Sequence, residues 1–101
     1  MEKLIRDGQV AVIISPGYGA GWSTWSTENS EAMAFCPQLA EAILEGKDRR
    51  AVAEELFPLE YKGGLAKAVV RWVPEGQRFR IEEYDGAESL VLEPDLVWMT
   101  A

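Results

Sequence analysis

The hydrophobic pattern of this chain begins with one uninterrupted apolar run. Residues 10–14 are all apolar, four of them are β-branched, and the run stops at Ser15-Pro16. β-Branched side chains fit a pleated surface, and a continuous rather than alternating run is typical of a strand that is covered on both faces. The pattern therefore predicts a buried strand over residues 9–15.

The central third of the chain predicts helices instead. A short helical turn begins near Ser30, whose hydroxyl suits the N-cap position. Pro37 suits the first turn of a longer helix over residues 38–45, because its fixed φ is already helical, and Gly46 is a typical residue to end that helix. Asp48 is a typical N-cap for a further helix over residues 49–57.

From residue 68 onward the hydrophobic pattern changes to a period of two, which predicts strands over residues 68–73, 77–84 and 88–92. Pro74-Glu75-Gly76 reads as a tight turn that would pair the first two strands as an antiparallel hairpin. Asp85-Gly86 is a strong hairpin signal between the second and the third strand.

The predicted order is thus β-α-α-β-β-β, which is typical of an α+β fold with a mainly antiparallel sheet and helices on one face. With 101 residues and no linker or repeat, residues 1–101 are expected to form a single domain. A short apolar segment at residues 96–98 follows Pro94 and receives no secondary-structure assignment.

Charge and cysteine content restrict the partners and the compartment. The formal net charge is −7, with 10 Lys and Arg against 17 Asp and Glu, so duplex nucleic acid is an unfavourable partner. No apolar run approaches the roughly 20 residues of a membrane span, and the charged N-terminus lacks a secretory signal. The single cysteine fits a reducing compartment. We expect a cytoplasmic protein with no membrane partner.

The chain contains no histidine, and this removes several kinds of catalysis. Neither a Ser-His-Asp nor a Cys-His arrangement is available, and tetrahedral zinc sites need more Cys or His residues than this chain has. Cys36, without a histidine partner, is interpreted as a buried structural thiol. We therefore expect no enzyme activity, no metal and no cofactor.

Residues 15–25, here called the Gly-Trp loop, are the leading candidate for a binding site. Glycine amides, aromatic faces and hydroxyls at the end of one strand are what a small polar ring compound needs. The candidate residues of this loop are Ser15, Gly17, Tyr18, Gly19, Gly21, Trp22, Ser23, Thr24 and Trp25. The alternative is a turn that simply needs positive φ, with one of the two tryptophans filling the core.

The strand over residues 77–84 and its hairpin turn supply a second candidate group. Its two arginines share a face and are suited to clamping a phosphate or a carboxylate, but a solvated face with cross-strand ion pairs explains them as well. The acidic side chains clustered around the turn are candidates for binding ribose hydroxyls or a cation, although exposed acidic turns are common; they are Glu82, Glu83, Asp85 and Glu88. The candidates are Arg78, Arg80, Glu83, Tyr84 and Asp85.

Several blocks of the chain together resemble a family of small proteins frequent in bacteriophage and prophage genomes. Residues 14–25 (ISPGYGAGWSTW) resemble its opening block, and Gly63-Gly64, residues 73–76 and residues 79–89 (FRIEEYDGAES) resemble its later blocks in the same order. The resemblance implies a phage-type accessory protein and no catalytic residue. Ser26 departs from the family pattern, which has Asn after the second tryptophan.

Three function classes follow from these observations. The leading hypothesis is a non-enzymatic protein that binds and sequesters a small nucleotide-like ligand, by analogy with phage anti-defence sponges, and that forms a homodimer or a larger homo-oligomer. The second is an acidic protein-interaction module that inhibits a host enzyme, for example by mimicking nucleic acid. The third, an enzyme based on Glu and Tyr, is the least favoured because no histidine is present.

Overall fold

The computed structural model describes residues 2–26 and 28–93. Its strands and helices are β1 (Ile5–Arg6), β2 (Gln9–Ile14), α1 (Ser30–Phe35), α2 (Pro37–Glu45), α3 (Arg49–Leu56), β3 (Val69–Pro74), β4 (Phe79–Tyr84) and β5 (Ala87–Leu92). Single 3₁₀ turns lie at Ser23–Trp25 and Leu65–Lys67. The predicted α+β class, its antiparallel strands and the order of its elements are confirmed. The predicted apolar segment at residues 96–98 lies outside the described residues.

The strands form two antiparallel sheets, one of three strands in the order β1-β2-β3 and one of two strands, β4-β5. The predicted pairing of β3 with β4 is wrong. β3 pairs along its whole length with β2, with Val12 opposite Arg71. β4 pairs with β5, with Ile81 opposite Leu90. The reason is that the apolar side chains of β4 pack against a face of the first sheet, so the hairpin covers that sheet instead of extending it.

Each of the two sheets contains a hairpin closed by an Asp-Gly turn. Asp85 and Gly86 have φ values of +49° and +84°, and Asp7 and Gly8 have +52° and +74°. Positive φ at both central residues is the geometry of the type I′ turn, whose twist matches that of the flanking strands. The predicted turn at Asp85-Gly86 is confirmed. The same dipeptide at Asp7-Gly8 is a sequence signal for β1 that the hydrophobic pattern did not provide.

The core lies on both faces of β2. Ala11 and Ile13 face the helices and pack in a buried cluster with Met33, Leu39 and Ala53. On the opposite face, two residues of β2 pack beneath β4 and β5, in a cluster that includes Val12, Ile14, Val73, Phe79, Ile81 and Leu90. β2 is therefore covered on both faces, which is why its sequence is continuously apolar rather than alternating.

The helix ends follow the predicted local chemistry, with one correction. The Asp48 side chain accepts a hydrogen bond from the N–H of Ala51, 3.1 Å away, and so caps α3. α2 ends at Gly46, whose φ of +69° is left-handed. α1 has Asn29 rather than Ser30 at its N-cap position, and Ser30 is the first helical residue.

Candidate functional site

A single buried carboxylate, that of Glu88 on β5, holds the Gly-Trp loop. Glu88 is only 2% exposed. Its Oε1 accepts a hydrogen bond from the N–H of Ser15 (2.8 Å), and its Oε2 accepts from the N–H groups of Trp22 (2.8 Å) and Thr24 (3.0 Å). The Thr24 hydroxyl donates to Oε2 as well. Because three of these donors belong to the backbone, Glu88 fixes the path of the loop itself.

The turn between β4 and β5 lies directly against the same loop. The N–H of Gly19 donates to the carbonyl oxygen of Asp85 at 2.7 Å. A Cβ added at Gly86 would collide with the backbone of Ala20, so only glycine allows the turn and the loop to approach this closely. The two regions that the sequence marks as candidate sites are therefore in contact, although about 65 residues separate them in the chain.

The two tryptophans of the loop have different environments. Trp22 is fully buried, its indole N–H donates to the Met33 carbonyl at 2.9 Å, and its ring meets Phe57 edge-on with 6.3 Å between centroids. Trp25 is 39% exposed and stacks on Tyr61, with 5.6 Å between centroids and 15° between ring planes. Trp22 thus fills the core, whereas Trp25 presents part of its ring at the surface.

An open cavity of about 440 Å³ lies where the loop, Trp25 and the β4–β5 turn meet, lined by Tyr18, Gly19, Trp25 and Asp85. This cavity is called the aromatic depression below. Tyr18 is 69% exposed, and Gly19 has a φ of +109°, which a residue with a side chain rarely adopts. Tyr61, which stacks on Trp25, is not one of the lining residues.

A cation lies beside the aromatic depression. Lys67 Nζ is 3.4 Å from the carbonyl oxygen of Tyr18, and the aliphatic part of the Lys67 side chain packs so closely over Gly17 that a Cβ there would require this side chain to move. Gly21 has the same role under Trp25, since a Cβ at Gly21 would lie 2.7 Å from indole Cδ1. These two glycines are explained by close approach rather than by positive φ.

A second cavity, of about 460 Å³, lies between α1 and β4. Of the predicted site residues it contains Ser23, Thr24 and Arg80, above a floor formed by Ala34, Phe35, Phe79 and Ile81. Ser23 is 2% exposed, so it adds little polar surface to this cavity.

Of the two predicted arginines, Arg80 lies on the outer face of β4 and Arg78 directly precedes that strand, and both are paired with carboxylates. Arg78 Nε lies 3.0 Å from Glu93 Oε2, and Arg80 Nη2 lies 3.0 Å from Glu82 Oε1. Their side chains are 83% and 70% exposed, which limits the contribution of each pair to stability. Neither arginine lines the aromatic depression, and the arrangement agrees with the alternative interpretation of a solvated sheet face.

The remaining predicted residues do not line the aromatic depression. Glu83 Oε2 accepts a hydrogen bond from the N–H of Gly86 at 2.7 Å and so stabilises the hairpin turn. Tyr84 is 72% exposed on the outer face of β4, and Ser15 is fully buried at the end of β2. The sequence missed three contributors, Glu88 as the acceptor, Tyr61 as the stacking partner and Lys67 as the cation, because each is brought to the loop from a distant segment.

The chemistry of the aromatic depression suits non-covalent binding. It offers two aromatic side chains, one carboxylate and a neighbouring ammonium group. Cys36 does not line the aromatic depression. Its thiol is buried, and this burial raises the pKa of the thiol, which disfavours the reactive thiolate. Within residues 2–26 and 28–93, no three His, Cys, Asp or Glu residues are grouped to hold a metal ion. No helix in the same residues has the length and apolar character needed to cross a membrane.

Comparisons of the chain with protein-family models, with curated proteins and with solved structures find no match.

Proposed function

We propose that the protein binds a small nucleotide-like ligand in the aromatic depression and leaves it chemically unchanged, as expected of a phage-type accessory protein that sequesters its ligand. The observation that carries the proposal is the meeting of Tyr18, Gly19, Trp25 and Asp85 around one open cavity. All four are residues that the sequence alone predicted as a site.

Trp25 is the proposed stacking surface. One face of its indole already rests on Tyr61, and a planar base on the remaining exposed part would extend an existing stack. Because the indole is held by Tyr61 and by the close approach of Gly21, little side-chain entropy remains to be lost when a ligand binds. Base–aromatic stacking typically contributes roughly 1–3 kcal/mol per base.

Lys67 is the proposed partner of the ligand's phosphate. Its ammonium group lies beside the Tyr18 carbonyl, close to the edge of the aromatic depression, in a chain whose net charge of −7 otherwise repels anions. A single lysine suits a ligand with one phosphate group better than a polyphosphate, because each further negative charge would meet the acidic surface without compensation.

The test is a calorimetric titration of the purified protein with the four ribonucleoside monophosphates, paired with thermal melts. Wild-type protein is expected to bind at least one of them with a Kd below about 1 mM. Trp25→Ala should weaken binding by roughly 1–3 kcal/mol while the protein stays folded. Leu44→Ala is the matched control, since Leu44 is 41% exposed on α2, outside the depression, and its loss should leave binding unchanged.

Trp22→Ala distinguishes the core from the site. Removing the fully buried ring should cost about 3–5 kcal/mol of folding stability and affect binding only through unfolding. Failure of all four nucleotides to bind wild-type protein would refute the proposal and leave the acidic interaction module as the surviving hypothesis. Conversion of a nucleotide over time would favour the enzyme hypothesis instead.

A further inference from the structure

Of the described residues that line the aromatic depression, Asp85 is the only charged one. Its position is fixed from two sides, because it occupies the first central position of a type I′ turn with a φ of +49° and its carbonyl oxygen accepts the N–H of Gly19 at 2.7 Å. Among residues 2–26 and 28–93, no side chain forms an ion pair with its carboxylate. A carboxylate carried on a backbone of fixed geometry thus lies beside two aromatic rings.

An ionised carboxylate has two oxygens that accept hydrogen bonds and no hydrogen to donate. A ring that lies against Trp25 and presents its edge to Asp85 must therefore supply donors, and two adjacent N–H groups satisfy both oxygens at once. Guanine has this edge, with N1–H next to the 2-amino group. Adenine places a ring-nitrogen acceptor beside its amino group, cytosine does the same, and uracil flanks its single N–H with two carbonyl oxygens.

We infer that the ligand of the aromatic depression is a guanine nucleotide, recognised through N1–H and the 2-amino group by the carboxylate of Asp85. The inference rests on the proposed function and deepens it, because stacking on Trp25 accepts any base whereas Asp85 selects among them. Sites that form hydrogen bonds with a polar group of the ligand discriminate strongly against analogues that lack it, since the site is then left unpaired.

The experiment compares guanosine, inosine and adenosine monophosphates by calorimetric titration. Inosine monophosphate keeps N1–H and lacks only the 2-amino group, so it isolates one of the two hydrogen bonds. Wild-type protein is expected to bind the guanine nucleotide about tenfold or more tightly than the inosine nucleotide, and the adenine nucleotide more weakly still. Trp25→Ala should weaken the binding of each nucleotide by a similar factor.

Asp85→Asn is the decisive variant, because an amide offers one acceptor and one donor in place of two acceptors. It should lower the preference for the guanine nucleotide over the inosine nucleotide from tenfold to about twofold or less. Asn tolerates positive φ, so the turn should still form. Asp7→Asn is the matched control, since Asp7 has a φ of +52° at the same position of the other Asp-Gly turn, and it should keep the wild-type preference.

The outcomes separate this inference from the proposed function. Equal binding of the three nucleotides, weakened by Trp25→Ala, would overturn guanine selection and keep the binding proposal. If Asp85→Asn weakens the binding of all three nucleotides by the same factor, Asp85 contacts the ribose hydroxyls or acts through its charge alone. That result would also overturn guanine selection. If wild-type protein binds none of the three nucleotides, this inference is refuted. If it also binds none of the four ribonucleoside monophosphates, the proposed function is refuted as well.

Discussion

At the residue scale, Glu88 determines how the Gly-Trp loop lies on the sheet. Its carboxylate is buried, and its partners in the described part of the chain are three backbone N–H groups and one hydroxyl rather than a lysine or an arginine. A carboxylate can satisfy all four donors because it has two acceptor oxygens with about four lone-pair sites. The glycines let the loop turn, and Glu88 selects one conformation among those that the glycines allow.

Replacing Glu88 with Gln tests this role. The amide has one oxygen, so in either orientation its NH₂ group faces the N–H of Ser15 or those of Trp22 and Thr24. Each buried N–H that loses its acceptor should cost roughly 1–3 kcal/mol, and urea unfolding would measure the sum. Glu41→Gln, an exposed change on α2, should stay within about 0.5 kcal/mol of wild type. Equal stability of the two variants would contradict the role assigned to Glu88.

At the scale of elements, the two Asp-Gly hairpins have the same turn geometry and different surroundings. A Cβ at Gly8 would meet nothing within 4 Å, whereas a Cβ at Gly86 would meet the backbone of Ala20. The first turn reverses the chain between β1 and β2, and its Gly8 carbonyl oxygen accepts a hydrogen bond from the N–H of Glu75 at 2.8 Å. The second turn also presses against the Gly-Trp loop, and it carries Asp85 to the edge of the aromatic depression.

A pair of alanine variants separates these two contributions. Gly8→Ala should lose roughly 1–2 kcal/mol of unfolding free energy, because alanine is strained at a φ of +74°. Gly86→Ala has a similar φ of +84° and in addition meets backbone that cannot move aside, so its loss should be larger. Urea unfolding of both proteins measures the difference. If the two losses are equal within error, the turn and the loop are not in the close contact described here.

At the scale of the whole molecule, not all large apolar side chains are covered. Leu59 is 96% exposed and Tyr61 58% exposed in the connector that follows α3, and Leu56 at the end of that helix is 40% exposed. Exposed apolar residues that are close together in this way are commonly part of an interface between protein chains. The expectation of a homodimer or larger homo-oligomer stays a prediction. The connector that follows α3 is the segment where we expect the interface to lie.

Light scattering coupled to gel filtration tests the assembly at tens of micromolar protein. We expect a mass of at least two chains for the wild type. Leu59→Lys should shift the protein toward the monomer, since a lysine ammonium group is costly to bury in an interface between copies. Ile5→Lys, a change at an exposed residue of β1, is the control and should keep the wild-type mass. A monomeric wild-type protein would contradict the prediction.

The sequence by itself determined the local elements and their class. The continuous apolar run predicted the buried β2, Asp48 and Gly46 marked helix ends that the structure confirms, and Asp85-Gly86 predicted the second hairpin. These predictions succeeded because caps, tight turns and hydrophobic periods depend on residues that are neighbours in the chain. The aromatic depression was predicted in part for the same reason, since three of its four lining residues belong to one loop.

Only the tertiary structure decided which surfaces meet. The separation of β3 from β4, the burial of Trp22 beside the exposed Trp25 and the anchoring of the loop by Glu88 all depend on distant segments. The hydrogen bond from Trp22 to Glu88 spans 66 residues, and the contact from Lys67 to Tyr18 spans 49. Two tryptophans three positions apart have equal hydrophobicity, so no local pattern ranks them. The helices and β5 decide which ring is enclosed, because only the packed chain determines where the interior has room for an indole.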